Sequence, residues 1–148
     1  MPLTLVPTPI GNLEDITLRA LRVLRNADLI ACEDTRTSSV LLRRYHIAAP
    51  LVPFHLHNEK ECLPRLMGAL RAGKSVAVVS DAGTPGVSDP GWILLRSALD
   101  EGIEADVLPG PSALLPALLL SGLTPHPFLF LGRSEEHTSE LQSPTSIS

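Results

Sequence analysis

Cysteine is scarce: Cys32 and Cys62 are the only two in 148 residues. No disulfide framework can be built from them, and a pair of reduced thiols fits a cytoplasmic protein. Long apolar runs are missing as well. The most apolar segment, Ala113 to Leu120, is too short to cross a bilayer and is interrupted by Pro116. The first residues, MPLTLVPTPIG, carry neither a basic leader nor the apolar core of a signal peptide. Cations are outnumbered, with 12 Lys and Arg against 16 Asp and Glu and a net charge of −4. Proteins that hold nucleic acid unaided usually have a basic surplus, because phosphate neutralisation supplies much of the affinity. The bulk charge offers none. Basic clusters do occur locally, at Arg19-Arg22-Arg25 and Arg43-Arg44, with the spacing of solvated helix faces.

Several catalytic signatures are also absent. No G-x-x-x-x-G-K-[ST] occurs, so Gly83-Thr84-Pro85 is not part of a phosphate-binding P-loop. The G-x-G-x-x-G of dinucleotide binders does not follow the first apolar run, and no serine sits in a G-x-S-x-G elbow. The histidines His46, His55, His57, His126 and His137 lack zinc-site spacing, and no metal is expected. Trp92 is read as a packing residue.

What remains is a regular alternation of short apolar runs with helical periodicity. Leu3 to Val6 reads as a strand stopped by Pro7. Ile16, Ala20, Leu21, Val23, Leu24 and Ala27 then form one face of a helix, with Asp15 as the expected N-cap. Leu29 to Cys32 is a second strand, followed by the polar turn Glu33-Asp34-Thr35-Arg36 and a short helix over 38–45. Leu51 to Phe54 is a weaker third strand. Asn58 is expected to cap a helix whose apolar residues are Leu63, Leu66, Met67 and Leu70, ending near Gly73. Val76 to Val79 has the continuous apolar character of a strand covered on both faces. Asp89 and Pro90 open a helix that ends before Gly102; Ala105 to Leu108 is a strand; a helix runs from about Ala113 to Leu120; Phe128 to Leu131 is read as a last strand. Parallel strands need crossovers, and helical crossovers cover a sheet, so the expected fold is α/β with a doubly wound parallel sheet.

In such sheets ligands bind beyond the carboxyl ends of the strands. Four loops of unusual composition should share that rim. The most distinctive, SDAGTPGVSDPG over residues 80–91, packs three glycines and two prolines into twelve residues. Glycine lets backbone approach a ligand with no Cβ in the way, and proline limits the entropy lost on binding. Pro7-Thr8-Pro9-Ile10-Gly11-Asn12 and Pro109-Gly110-Pro111-Ser112 repeat this chemistry. Read from spacing alone, the chain is an enzyme or binding protein with a rigid small-molecule cleft.

Taken in order, VPTPIGNLEDITLRALR from Val6, ADLIACEDTR from Ala27, HNE from His57, SDAGTPGVSDPG from Ser80 and LPGPSA from Leu108 resemble the tetrapyrrole-methylase-like family of S-adenosylmethionine-dependent methyltransferases. Within that family the spelling is similar to the branch that methylates a cytidine ribose 2′-oxygen in small-subunit (16S) ribosomal RNA. The resemblance covers nearly all of residues 1–132. It implies that S-adenosylmethionine is held by Ile10, Ala82, Gly83, Thr84, Val87, Ser112 and Ala113. It implies substrate-side candidates in Glu33, Asp34, Arg36, His57 and Glu59, with Arg43 or Arg44 for phosphate contacts, and leaves the catalytic base unassigned. It also implies a normally two-domain enzyme, dimeric when full length, of which 1–132 is the N-terminal domain. The tail over 133–148, with SEEHTSELQSPTSIS from Ser134, is rich in serine and threonine, is expected to be disordered and foreign, and would leave a truncated chain of negligible turnover. A tetrapyrrole C-methyltransferase and a non-catalytic binding fragment are the two alternatives.

Overall fold

The computed structural model describes residues 1–132, so the expectations for the tail lie outside the described residues. Five strands form one parallel sheet in the order β3-β2-β4-β1-β5, where β1 is Leu3–Leu5, β2 Leu29–Cys32, β3 Leu51–Pro53, β4 Val76–Val79 and β5 Ala105–Val107. The most apolar strand, β4, is central and fully buried. Its register with β1 pairs Leu3 with Val76 and Leu5 with Val78, and with β2 it pairs Leu29 with Val76 and Cys32 with Val79.

Side chains alternate across the pleat, and each face has its own core. Leu3, Leu5, Val76 and Val78 point toward helices α3 (Glu59–Arg71) and α4 (Gly91–Asp100), where Leu66, Met67, Leu70, Leu94 and Ala98 meet them. Val6, Ile30, Cys32, Ala77 and Val79 point the other way, against Ala20, Leu21 and Leu24 of α1 (Leu18–Asn26) and Leu42 of α2 (Thr35–Arg44). The sheet is doubly wound, as the alternation of elements implied.

Local chemistry corrects several boundaries. α1 starts at Leu18, because the Thr17 hydroxyl, not Asp15, accepts the Ala20 N–H at 3.0 Å. Asp15 closes a 3₁₀ turn, Leu13–Asp15, capped by Asn12. Asp34 caps α2 by accepting the Arg36 N–H, so Thr35 and Arg36 belong to the helix and not to a turn. Asn58 holds the N-cap position of α3, yet its side chain turns back: Oδ1 accepts from the His55 N–H and Nδ2 donates to the Pro53 carbonyl. α3 ends as expected at Gly73 (φ +82°), whose N–H and that of Lys74 reach the Leu70 and Ala69 carbonyls in a Schellman motif. A last helix, α5, covers Leu114–Leu120 and buries none of its residues. Phe128 to Leu131 has no regular structure and pairs with no strand among the described residues.

Candidate functional site

Because every strand runs the same way, the loops after β1, β2, β4 and β5 all emerge on the carboxyl rim. The first and third are stapled together. Thr8 N–H donates to the Gly83 carbonyl at 3.0 Å and Gly83 N–H returns the bond to Thr8 at 2.9 Å. The buried Thr8 hydroxyl donates to the Ser80 carbonyl, and the buried Ser80 hydroxyl lies 3.0 Å from the Gly83 carbonyl. Neither Thr8 nor Ser80 was a candidate from the sequence, because the bond between them joins positions 72 residues apart. The second half of the long loop is set by Asp89, whose Oδ1 accepts from both Gly86 and Gly91 N–H. The N-cap position of α4 is Pro90 and not Asp89, which lies one residue farther out and accepts the Gly91 N–H. The β5 loop is packed equally tightly: a Cβ on Gly110 would stand 2.6 Å from Pro7 Cβ. Three loops thus form one rigid unit.

That unit walls an apolar cavity of about 620 Å³. Ile10, Ala82, Gly83, Thr84, Val87, Ser112 and Ala113, the seven positions implied for the cofactor, all line it. Gly83 adopts φ +78°, and a Cβ there would lie 3.5 Å from Ile10, on the cavity side of the staple. Pro111, from the expected rim loop, completes the wall with Leu114, Ala117 and Phe130, which were not anticipated. Leu114 and Ala117 are three apart on α5, a spacing that places them on one face. The lining suits a ligand with an apolar ring and a few polar groups, since Thr84, Ser112 and loop backbone supply the polar atoms.

The substrate-side candidates fall into two groups along the rim. Glu33, at the carboxyl end of β2, faces Asp81 and Asp89. Burial, then the charges of Asp89 and Asp81, then a hydrogen bond with Asp81 push its carboxyl up to about 7. Asp34 is instead committed locally: its Oδ1 and Oδ2 accept from Arg36 Nε and Nη2, which holds it below the ordinary carboxylate range. His57 and Glu59 sit past β3, at the edge of the sheet opposite β5. His57 stands edge-on to His55 with ring centroids 5.9 Å apart; one oxygen of Glu59 and Nδ1 of His55 are buried without a partner among the described residues. The structure gathers all twelve named positions on one rim, but only seven in one cavity. Trp92 is half exposed and is not a core residue. Both cysteines are buried, and burial pushes their thiols up, so neither is poised as a nucleophile. Among the described residues no cluster of His, Cys, Asp and Glu could hold a metal ion.

Residues 2–137 match the tetrapyrrole (corrin/porphyrin) methylases. The chain belongs to this family. It is 58% identical over 130 residues to a ribosomal RNA small subunit methyltransferase I of Mesorhizobium japonicum, covering 88% of this chain and 44% of that protein. The protein of the same name from Thermotoga maritima is 52% identical over 130 residues, covering 88% and 59%. Among solved structures, uroporphyrin-III-C-methyltransferase from Thermus thermophilus superposes with a TM-score of 0.62 at 30% identity, over 82% of this chain and 52% of its own. The chain therefore spans about half the length of the curated relatives it matches. As a tetrapyrrole methylase it shares the parallel α/β sheet of that family. No helix among the described residues is long and apolar enough to cross a membrane.

Proposed function

We propose that residues 1–132 are the donor-binding domain of an S-adenosylmethionine-dependent enzyme that methylates a cytidine ribose 2′-oxygen in small-subunit ribosomal RNA. One observation carries the reading: the three stapled rim loops bring all seven family positions onto a single apolar cavity. Ile10, Val87 and Ala113 would pack the adenine and the aliphatic part of the donor. Thr84, Ser112 and the backbone near Gly83 would hold its polar groups. The donor supplies a methyl group already activated on a sulfonium, so the protein's task is to position it, exclude water and present the acceptor oxygen. A ribose hydroxyl must also lose its proton. Glu33, next to the donor loop and titrating near neutral pH, is the best-placed acceptor among the named carboxylates.

The identity pattern supports RNA over a tetrapyrrole. The proteins matched at 52–58% are named for ribosomal RNA, and the uroporphyrin enzyme stands at 30%. The proposal includes a second domain that closes the cleft, pairing of two full-length copies, and a cytoplasmic location beside the ribosome. Exposed Leu115, Leu119 and Leu120 on α5 support such a covering domain, since they present apolar surface on a helix that also lines the cavity.

Joining residues 1–130 in frame to the remainder of the Mesorhizobium relative tests this directly. With labelled S-adenosylmethionine, the chimera is expected to label unmethylated small subunits at a ribose 2′-oxygen, while the 148-residue chain alone labels them at background. Label in uroporphyrinogen and none in RNA would contradict the reading.

A further inference from the structure

The two helices on one flank of the sheet carry charge of a single sign. α1 contributes Arg19, Arg22 and Arg25, α2 contributes Arg36, Arg43 and Arg44, and neither helix contains an aspartate or glutamate. These six are half of the chain's 12 lysines and arginines. On the opposite flank, α3 and α4 mix Lys60, Arg65, Arg71 and Arg96 with Glu59, Glu61 and Asp100. In a chain of net charge −4, α1 and α2 thus carry six cations and no acid, while α3 and α4 carry four cations against three acids.

Two of the six are occupied by carboxylates, Arg19 by Asp106 and Arg36 by Asp34. Arg22, Arg25, Arg43 and Arg44 are exposed, and none of them is in an ion pair among the described residues. The helix ends are joined through Tyr45. Its carbonyl accepts from Arg25 at 3.2 Å, its ring lies 5.3 Å from the Arg44 guanidinium, and its hydroxyl donates to the Leu13 carbonyl. Leu13, with Val40, Arg43 and Arg44, borders an open hollow and begins the turn that follows Ile10 and the first rim loop. Arg25 and Arg44 are therefore connected around Tyr45 to the turn that follows the first rim loop, with Arg43 on the same hollow and Arg22 one turn before Arg25 on α1, and together they form a stripe. Glu14 and Asp15 border it on the turn, and Asp28 nearby is held by Ser75.

We propose that this stripe seats the phosphate backbone of the substrate RNA and leads the target ribose over the first rim loop. Guanidinium forks suit phosphate oxygens, and such contacts position a strand without reading its bases. Bulk acidity and RNA binding are then compatible, because α1 and α2 carry six arginines and no carboxylate while the acids lie on other elements. This assignment rests on the ribosomal-RNA reading above.

The test compares two triple variants of the 148-residue chain, each removing three cations. Arg22→Gln/Arg43→Gln/Arg44→Gln empties the stripe; Lys60→Gln/Arg65→Gln/Arg96→Gln empties the opposite flank. Circular dichroism checks that both fold. Filter retention of radiolabelled small-subunit RNA, transcribed in vitro, is measured across a salt series. Loss of about three phosphate contacts should make the log–log salt slope of the first variant shallower by about 2 and weaken binding at least ~10-fold at low salt, while the second stays within about twofold of wild type. Equal weakening in both, or none in the first, overturns the assignment of the face. If wild type retains no RNA while the chimera still methylates it, the stripe alone fails; if the chimera labels no RNA either, the substrate reading fails with it.

Discussion

Glu33 stands where three carboxylates approach one another, beside the loop that carries Ala82 to Thr84. Burial and the neighbouring Asp89 and Asp81 raise its pKa from an ordinary 4.5 to about 7. The folded chain therefore binds a proton that the unfolded chain releases between these values, and stability falls as pH rises from about 4.5 through 7. Replacing Glu33 with glutamine removes the charge but keeps the volume. Glu33→Gln is expected to match wild type at pH 4 and to exceed it by about 1 kcal/mol at pH 8, once solvent screening of this partly exposed group is allowed for. Calorimetric melting at both pH values checks it; a deficit at pH 8 would show that Glu33 is stabilised by a partner and not strained by its neighbours.

Elements in this chain are set by short polar contacts that the apolar pattern does not specify. Between residues 12 and 17 three side chains are chemically able to cap a helix: Asn12, Asp15 and Thr17. Thr17 caps α1, Asn12 caps the 3₁₀ turn, and Asp15 caps nothing. Thr17→Ala should thus lower stability by about 1 kcal/mol, whereas Asp15→Ala should change it by a few tenths at most. Urea unfolding of the two variants separates them, and the reverse order would mean that the helix starts at Ile16. The strands β1, β2 and β4 and the helices α3 and α4 were legible to within a residue or two, because buried parallel strands are short apolar runs stopped by polar residues or proline, as Asp28 and Glu33 stop β2 and Ser75 and Ser80 stop β4. Phe128 to Leu131 has the same appearance but no neighbour to pair with among the described residues, and pairing is a long-range property that a local run does not encode. For the same reason the order β3-β2-β4-β1-β5 was not readable from the chain. The rim was legible through loop composition. Its staple, Thr8 to Ser80 and Gly83, was not, since a hydroxyl's partner 72 residues away leaves no mark in the local sequence.

At the scale of the whole molecule, one parallel sheet assigns separate tasks to its boundaries. The carboxyl rim gathers glycine- and proline-rich backbone into a cavity, the α1/α2 flank gathers arginine without acids, and the α3/α4 flank mixes the two signs. A second cavity of about 320 Å³ lies on the α1 flank, between α1 and β5, lined by Thr4, Arg22, Asn26 and Ser75 and bridged by the Arg19–Asp106 pair. It is more polar than the rim cavity and touches none of the glycine loops. The two cavities offer alternative homes for a methyl donor, and a crystal of the chain soaked in S-adenosylmethionine distinguishes them in one measurement. Density is expected against Ile10, Ala82 to Thr84, Val87 and Ser112 to Ala113. Density beside Arg22 and Asn26, with those rim residues untouched, would contradict the account of the rim as the donor site.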